Sequence, residues 1–236
     1  MITRRQLLMA VPTMTAALAI PTKAALALEV PAMTKEARSQ LTPDQALELL
    51  QDGNERFVSG NMLQRDLLAQ VKATAKGQFP FAGILGCIDS RVPPEFVFDQ
   101  GIGDIFSARI AGNFANTDFI GSFEFATKLA GAKLIVVLGH TECGAIKGAV
   151  DNAQLGNLTQ TLSNLMPAVY SVTDVQGERN SSNAAFVTSV AEENVRLNVN
   201  ALYTRSAILH DLVEAEQIKI VGAMYDVGTG RVSFLS

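Results

Sequence analysis

Two cysteines and two histidines are the whole supply of thiols and imidazoles in this sequence: Cys87, Cys143, His140 and His210. Cys87 lies at the end of a short apolar run, Phe81 to Ile88, and His140 directly follows another, Lys133 to Leu138. Each run, bounded by turn residues, predicts a buried parallel strand. The carboxyl ends of such strands form the crevice where open α/β sheets bind ligands, so Cys87 and His140 become neighbours in space. Cys143 opens the next helix, where backbone N–H groups would help it ionise. Two thiolates and one imidazole suit zinc, and with three protein ligands the fourth tetrahedral position stays open for water, the arrangement of a catalytic site. The same residues allow a plainer reading, in which buried cysteines serve as small hydrophobes. A closed structural site would need Asp89 as its fourth ligand. His210 falls inside a long helical stretch and reads as a surface or packing residue.

Asp89 and Arg91 follow Cys87 in Cys-Ile-Asp-Ser-Arg. Extended alternation places all three side chains on one side of the chain. A carboxylate gripped by a guanidinium stays ionised and fixed in direction. Beside a metal-bound hydroxide it would accept the hydroxide's proton in a hydrogen bond and aim its lone pair at a substrate. The alternative is a surface ion pair, which would contribute little.

The elements that must hold these groups alternate between strands and helices. Thr42-Pro43-Asp44 carries helix-start signals, with Thr as N-cap and Pro in the first turn, and Leu47, Leu50, Phe57 and Val58 give the helix an apolar face to about residue 58. A polar helix or loop covers roughly 61–76. Strands follow at Phe81–Ile88, Asp104–Ile110 and Lys133–Leu138, with a helix over 117–130 and another from Glu142 to Val150. Two long helical stretches, about 158–171 and 182–215, precede a strand at Lys219–Tyr225, a turn at Asp226–Gly230 and the segment Arg231–Leu235. This order predicts an α/β fold: a single domain with a mostly parallel central sheet flanked by helices, and an N-terminal helical arm.

The chain has 236 residues, 48% apolar and 18% charged, which excludes a disordered, collagen-like or coiled-coil protein. Nineteen Lys and Arg face 23 Asp and Glu with no basic run past the first few positions, so nucleic acid is not an expected partner. Thr3-Arg4-Arg5, an apolar stretch from Leu7 to Pro21 and Ala25-Leu26-Ala27 together read as a cleavable twin-arginine signal over residues 1–27, leaving one domain over 28–236. That segment carries Arg4, Arg5 and Lys23 and no acid, so its removal takes the net charge from -4 to -7. The expectation is an exported, periplasmic and acidic protein with no membrane attachment after signal removal. Export would favour a disulfide between the two cysteines, but twin-arginine export of a folded chain equally suits a metal–thiolate site filled beforehand.

Cys87-Ile88-Asp89-Ser90-Arg91-Val92, with His140-Thr141-Glu142-Cys143-Gly144 after it, resembles the paired motifs of the β-class carbonic anhydrases of exported bacterial type. The likeness takes in Asp104-Ile105-Phe106 through Ala111-Gly112-Asn113, Asp52 to Phe57, and Gly222 to Gly230, and spans about residues 40–236. It implies one zinc per chain on Cys87, His140 and Cys143, an Asp89–Arg91 dyad beside it, and a homodimer or higher assembly whose N-terminal helices embrace the partner subunit. The implied reaction is reversible hydration of carbon dioxide to bicarbonate and a proton by hydroxide made on zinc, which brings the pKa of bound water to about 7. The Gly144 N–H would donate to bound product, a glycine allowing close approach, and Phe125 or Phe114 would line an apolar pocket across a subunit interface. The family's pocket glutamine falls at Gly101 here, with Gln100 one residue early, and the absence of Trp argues against the bicarbonate-inhibitory site of some bacterial members. Hydrolysis of carbonyl sulfide or carbon disulfide on the same scaffold, and a noncatalytic zinc-binding or redox-sensing role, are the alternatives.

Overall fold

The structure, a computed structural model, describes residues 30–235, so the leader read in residues 1–27 lies outside the described residues. Among these residues five strands, β1 (Ala82–Gly86), β2 (Ile105–Arg109), β3 (Leu134–His140), β4 (Lys219–Tyr225) and β5 (Val232–Phe234), form one sheet in the order β2-β1-β3-β4-β5. The first four are parallel, and β5 runs antiparallel to β4. β1 and β3 are buried along their whole length, as central parallel strands covered on both faces must be. Their side chains alternate between two cores. Ile135 and Val137 pack on one face with Phe123, Ile146 and Val190. Leu134, Val136 and Leu138 pack on the other with Leu50, Val97 and Phe98.

Among the described residues ten α-helices surround the sheet: α1 (Lys35–Gln40), α2 (Pro43–Val58), α3 (Leu67–Thr74), α4 (Pro94–Val97), α5 (Thr117–Glu124), α6 (Gly144–Val150), α7 (Gly156–Ser163), α8 (Met166–Ser171), α9 (Ala184–Thr204) and α10 (Ala207–Glu214). The start of α2 is as expected from Thr42-Pro43, and Gln45 completes a reciprocal cap. The Gln45 N–H donates to Thr42 Oγ1 at 3.2 Å, and the Thr42 N–H donates to Gln45 Oε1 at 2.9 Å. Among the described residues no helix is long and apolar enough to cross a membrane.

Several boundaries differ from the sequence reading, each for a local reason. His140 is the last residue of β3 and does not follow it, because its backbone still pairs with Tyr225 of β4. The helix over 117–130 ends as a π-helical turn, Phe125–Leu129. The stretch 158–171 is two helices, with Pro167 in the first turn of α8, where its missing N–H costs nothing. The stretch 182–215 breaks at Ser206, whose Oγ accepts from the Leu209 N–H to cap α10 and donates to the Glu124 carboxylate.

α9 lies close on the sheet because two glycines leave room for it. A Cβ on Gly139 would sit 2.6 Å from Val195 Cγ2, and one on Gly222 would sit 2.6 Å from Val195 Cγ1. Val195 thus fills the space between β3 and β4 that side chains would otherwise occupy.

Candidate metal centre

Cys87, His140 and Cys143 are brought together from the end of β1, the end of β3 and the N-cap of α6, with their ligand atoms all within 4.8 Å of one another. Exposures of 4%, 1% and 1% place them inside the protein. Parallel pairing of β1 with β3 accounts for the first two, since Gly86 stands beside Leu138 and both chains leave the sheet at the same edge. Cys143 is returned to the same point by a sharp turn in which Glu142 adopts a φ of 57°, a left-handed conformation uncommon for a residue with a side chain.

The donor set fits zinc. The His140 ring sits 2.9 Å from its neighbour's carbonyl, Thr141 O, through Nδ1; a carbonyl only accepts, so Nδ1 carries the proton and Nε2 keeps a free lone pair. That Nε2 is buried and has no hydrogen-bond partner among the described residues, an arrangement that a metal ligand explains and a packing histidine does not. Both cysteines are free, and no disulfide joins them. The hydrogen bond from Cys143 holds Cys87 far below the ordinary thiol range, at about 4. The same contact, reinforced by burial, pushes Cys143 up. The Ala145 and Ile146 N–H groups do favour the Cys143 anion, as expected of a helix start, but the neighbouring sulfur and burial outweigh them. Ionising both sulfurs would set two buried anions in contact, a conflict that a cation between them removes.

The chain around these ligands is fixed by groups that carry no obvious signal in sequence. The Arg109 guanidinium donates to Cys87 O at 2.8 Å through Nε and to Asp89 O at 2.6 Å through Nη2, clamping the segment between them. The Gly112 N–H donates to Cys87 Sγ at 3.4 Å.

Asp89 and Arg91 do pair, although not through extended alternation. They sit on a turn in which the Arg91 N–H donates to Asp89 Oδ1 at 2.9 Å, and the Arg91 side chain folds back on the same carboxylate. Nε reaches Oδ1 at 2.9 Å and Nη2 reaches Oδ2 at 2.7 Å, a bidentate grip. Arg91 Nη2 also donates to Glu142 O at 3.3 Å, tying the pair to the turn before Cys143. Hydrogen bonds from Arg91 hold the Asp89 carboxyl far below its usual range. Asp89 Oδ2 lies 4.0 Å from His140 Nε2, so the carboxylate borders the metal position while remaining in Arg91's hands.

The remaining sequence candidates are dispersed. Gly144, the first residue of α6, is exposed, and a Cβ built there meets nothing within 4 Å. Phe114 is buried in the same core as Cys87 and Cys143. Phe125 is half exposed at the start of the π-helical turn, edge-on to Phe106 with ring centres 6.2 Å apart. Gln100 donates to Phe98 O at 2.6 Å and lines a groove of about 470 Å³ with Leu63, Leu67, Phe96 and Ile102, which contains none of the metal-centre residues. His210 is a surface histidine, its ring centre 4.6 Å from that of Tyr203 and its Nδ1 3.5 Å from Asp211, and it is not among the grouped ligands.

Comparison with known proteins identifies what this centre belongs to. The family profile described as carbonic anhydrase matches residues 82–232. Carbonic anhydrase 2 of Mycobacterium tuberculosis is 34% identical over 195 residues, covering 80% of this chain and 91% of its own. Among solved structures, the β-carbonic anhydrase CafA of Aspergillus fumigatus is 28% identical with a TM-score of 0.60, over 70% of this chain and 80% of its own. The Coccomyxa β-carbonic anhydrase is 25% identical with a TM-score of 0.62, over 70% and 75%. The family match runs from the first residue of β1 to beyond β4 and includes all three ligands, and the chain therefore belongs to the β-class carbonic anhydrases.

Proposed function

We propose that the chain catalyses zinc-dependent reversible hydration of carbon dioxide to bicarbonate and a proton with Cys87, His140 and Cys143 holding the metal and Asp89 and Arg91 serving the reacting groups. The observation that carries this assignment is the bidentate Asp89–Arg91 pair standing 4.0 Å from the free His140 Nε2. When bound, zinc supplies Lewis acidity that brings the pKa of a coordinated water to about 7, providing a nucleophile near neutral pH. Asp89, kept ionised by Arg91, has no proton to give at neutral pH and acts as an acceptor at Oδ2, orienting the reacting oxygen. Arg91 holds that carboxylate in register with the turn at Glu142. The Gly144 N–H, at N1 and so not used by its own helix, is a donor for the product's oxygen.

The substrate pocket is completed between subunits in a homodimer or higher assembly, with Phe125 and Gln100 as contributors. The exposed apolar side chains Leu63, Leu67, Phe96 and Ile102 around a groove next to the edge strand β2 support this. Residues 1–27 are a cleavable twin-arginine signal, and the mature enzyme is periplasmic; the paired arginines and apolar stretch support this. The native mass and N-terminal residue of protein taken from its own host test both, and a monomer or an intact leader counts against them.

Stopped-flow hydration of carbon dioxide by protein of known zinc content tests the activity. Turnover rising in proportion to zinc occupancy, to one zinc per chain, is the expected result. A fully zinc-loaded protein without turnover would overturn the reading.

A further inference from the structure

The buried face of α9 is interrupted by two amides. Phe186, Val187, Val190, Ala191, Val195 and Leu202 are the apolar residues of that face, and Asn194 and Asn198 lie among them at 2% and 8% exposure. An amide buried without partners is destabilising, so its hydrogen bonds show what it is there to hold. Asn194 Nδ2 donates to Gly112 O at 2.9 Å. Asn198 Nδ2 donates to Asn194 Oδ1 at 3.1 Å and to Asn194 O at 2.7 Å, fixing the orientation of the first amide. Asn198 Oδ1 accepts from the Ala115 N–H at 2.7 Å, so two points of the loop between β2 and α5 are held by one helix.

Gly112 is one of those two points. Its φ of 82° is a conformation natural to glycine, and a Cβ there would lie 2.7 Å from Leu165 Cδ1. Conformational freedom of this kind must be removed by contacts, and both peptide groups of Gly112 are engaged. Its carbonyl is taken by Asn194, and its N–H is on Cys87 Sγ at 3.4 Å. A continuous chain of bonds therefore runs from the buried face of α9 through one glycine to a metal-ligating sulfur.

We propose that Asn194, oriented by Asn198, is a positioning residue for the metal centre: it fixes Gly112 so that the glycine N–H remains on the Cys87 sulfur and sets how strongly that thiolate binds zinc. The proposal rests on the zinc reading above. An N–H bond to a thiolate stabilises the anion and withdraws electron density from it, and partners of metal ligands typically account for 10–100-fold in metal affinity. Loss of the Asn194 amide releases Gly112 and, with it, the N–H that holds the Cys87 sulfur in place.

The test compares Asn194→Ala with Val190→Ala, a truncation on the same buried face that touches no bond in this chain of contacts. Zinc affinity is measured by chelator competition, the thiolate-to-metal charge-transfer absorption is recorded on cobalt(II)-substituted protein, and unfolding is followed by denaturant. Asn194→Ala is expected to weaken zinc binding about tenfold and to move the charge-transfer band to lower energy. Val190→Ala is expected to lower stability with neither change. Equal losses of stability with unchanged zinc affinity and band would overturn the proposal and leave Asn194 a packing residue. Should Asn194→Ala fail to fold, the same readouts apply to Asn194→Gln, whose amide is carried one methylene further and misaligns with Gly112 O. Wild-type protein that takes up neither metal would instead defeat the zinc reading itself.

Discussion

Arg91 grips both oxygens of Asp89 and keeps that carboxylate ionised far into the acid range, which makes Asp89→Asn a substitution of charge and acceptor at nearly constant shape. The amide replaces one acceptor oxygen with a donor that must face either the Arg91 guanidinium or the metal position, and both contacts are unfavourable. The expected outcome is a fall in kcat/KM of about 10²-fold at unchanged zinc content, read by stopped-flow beside metal analysis. Zinc lost in proportion to activity would show instead that Asp89 supports the ligands. The ligands and this pair were legible in sequence because their residue types are scarce and chemically committed, and strand ends told where they would meet. The route to the pairing was misread, since the Arg91 N–H bond to Asp89 makes a turn where alternation predicted extension. The roles of Arg109, Gly112 and Asn194 went unread for a different reason. Their contributions are a backbone clamp, an N–H and a carbonyl contact, and no residue type announces these. Two asparagines four apart on an otherwise apolar helical face were the available signal.

Strands and helices were legible where the hydrophobic period is strong and bounded, as in Lys219–Tyr225, read to the residue, and Pro43–Val58. They were not legible where a side-chain contact from elsewhere decides the break, as at Ser206, whose capping role depends on Glu124 across the fold. The depth at which α9 sits is likewise a tertiary fact, set by Gly139 and Gly222 against Val195. Gly222→Ala places a methyl 2.6 Å from Val195 Cγ1, and a β-branched side chain at a helix–sheet contact has little freedom to yield. Overpacking of this kind costs about 1–3 kcal/mol. In Gly222→Ala/Val195→Ala the obstructing methyls are gone, so the double variant should be more stable than the sum of the single losses by roughly 1 kcal/mol. Urea unfolding of the four proteins checks it, and strict additivity would show that α9 is placed by other contacts.

The N-terminal helices join the rest of the molecule through a buried charge. Asp99 is wholly buried and sits beyond α4, in a left-handed conformation with φ of 46°. Arg56 from α2 donates to its Oδ2 at 2.6 Å, the Leu63 N–H donates to the same oxygen at 3.2 Å, and Arg65 bonds both its Oδ1 and its carbonyl oxygen. Burial pushes the Asp99 carboxyl up, but the hydrogen bonds from Arg56, Arg65 and Leu63 together outweigh it and leave the group below its ordinary value of 3.8. The unfolded chain therefore takes up this proton first as pH falls. The stabilisation is complete above the ordinary carboxylate range, declines as pH drops through about 4, and is gone below the folded value. Asp99→Asn keeps the volume but strands Arg56 and Arg65 opposite a neutral amide. The expected loss at neutral pH is roughly 3 kcal/mol, at the low end for a broken buried pair because Arg56 keeps some contact with water. Denaturant unfolding of both proteins across a pH series, at one chain concentration, should show this gap closing as the pH falls below 4. Zinc release in acid affects the two alike and cancels in the difference. A gap that persists unchanged into acid would mean that Asp99 acts through shape and neutral hydrogen bonds, and that charge does not hold the N-terminal helices to the sheet.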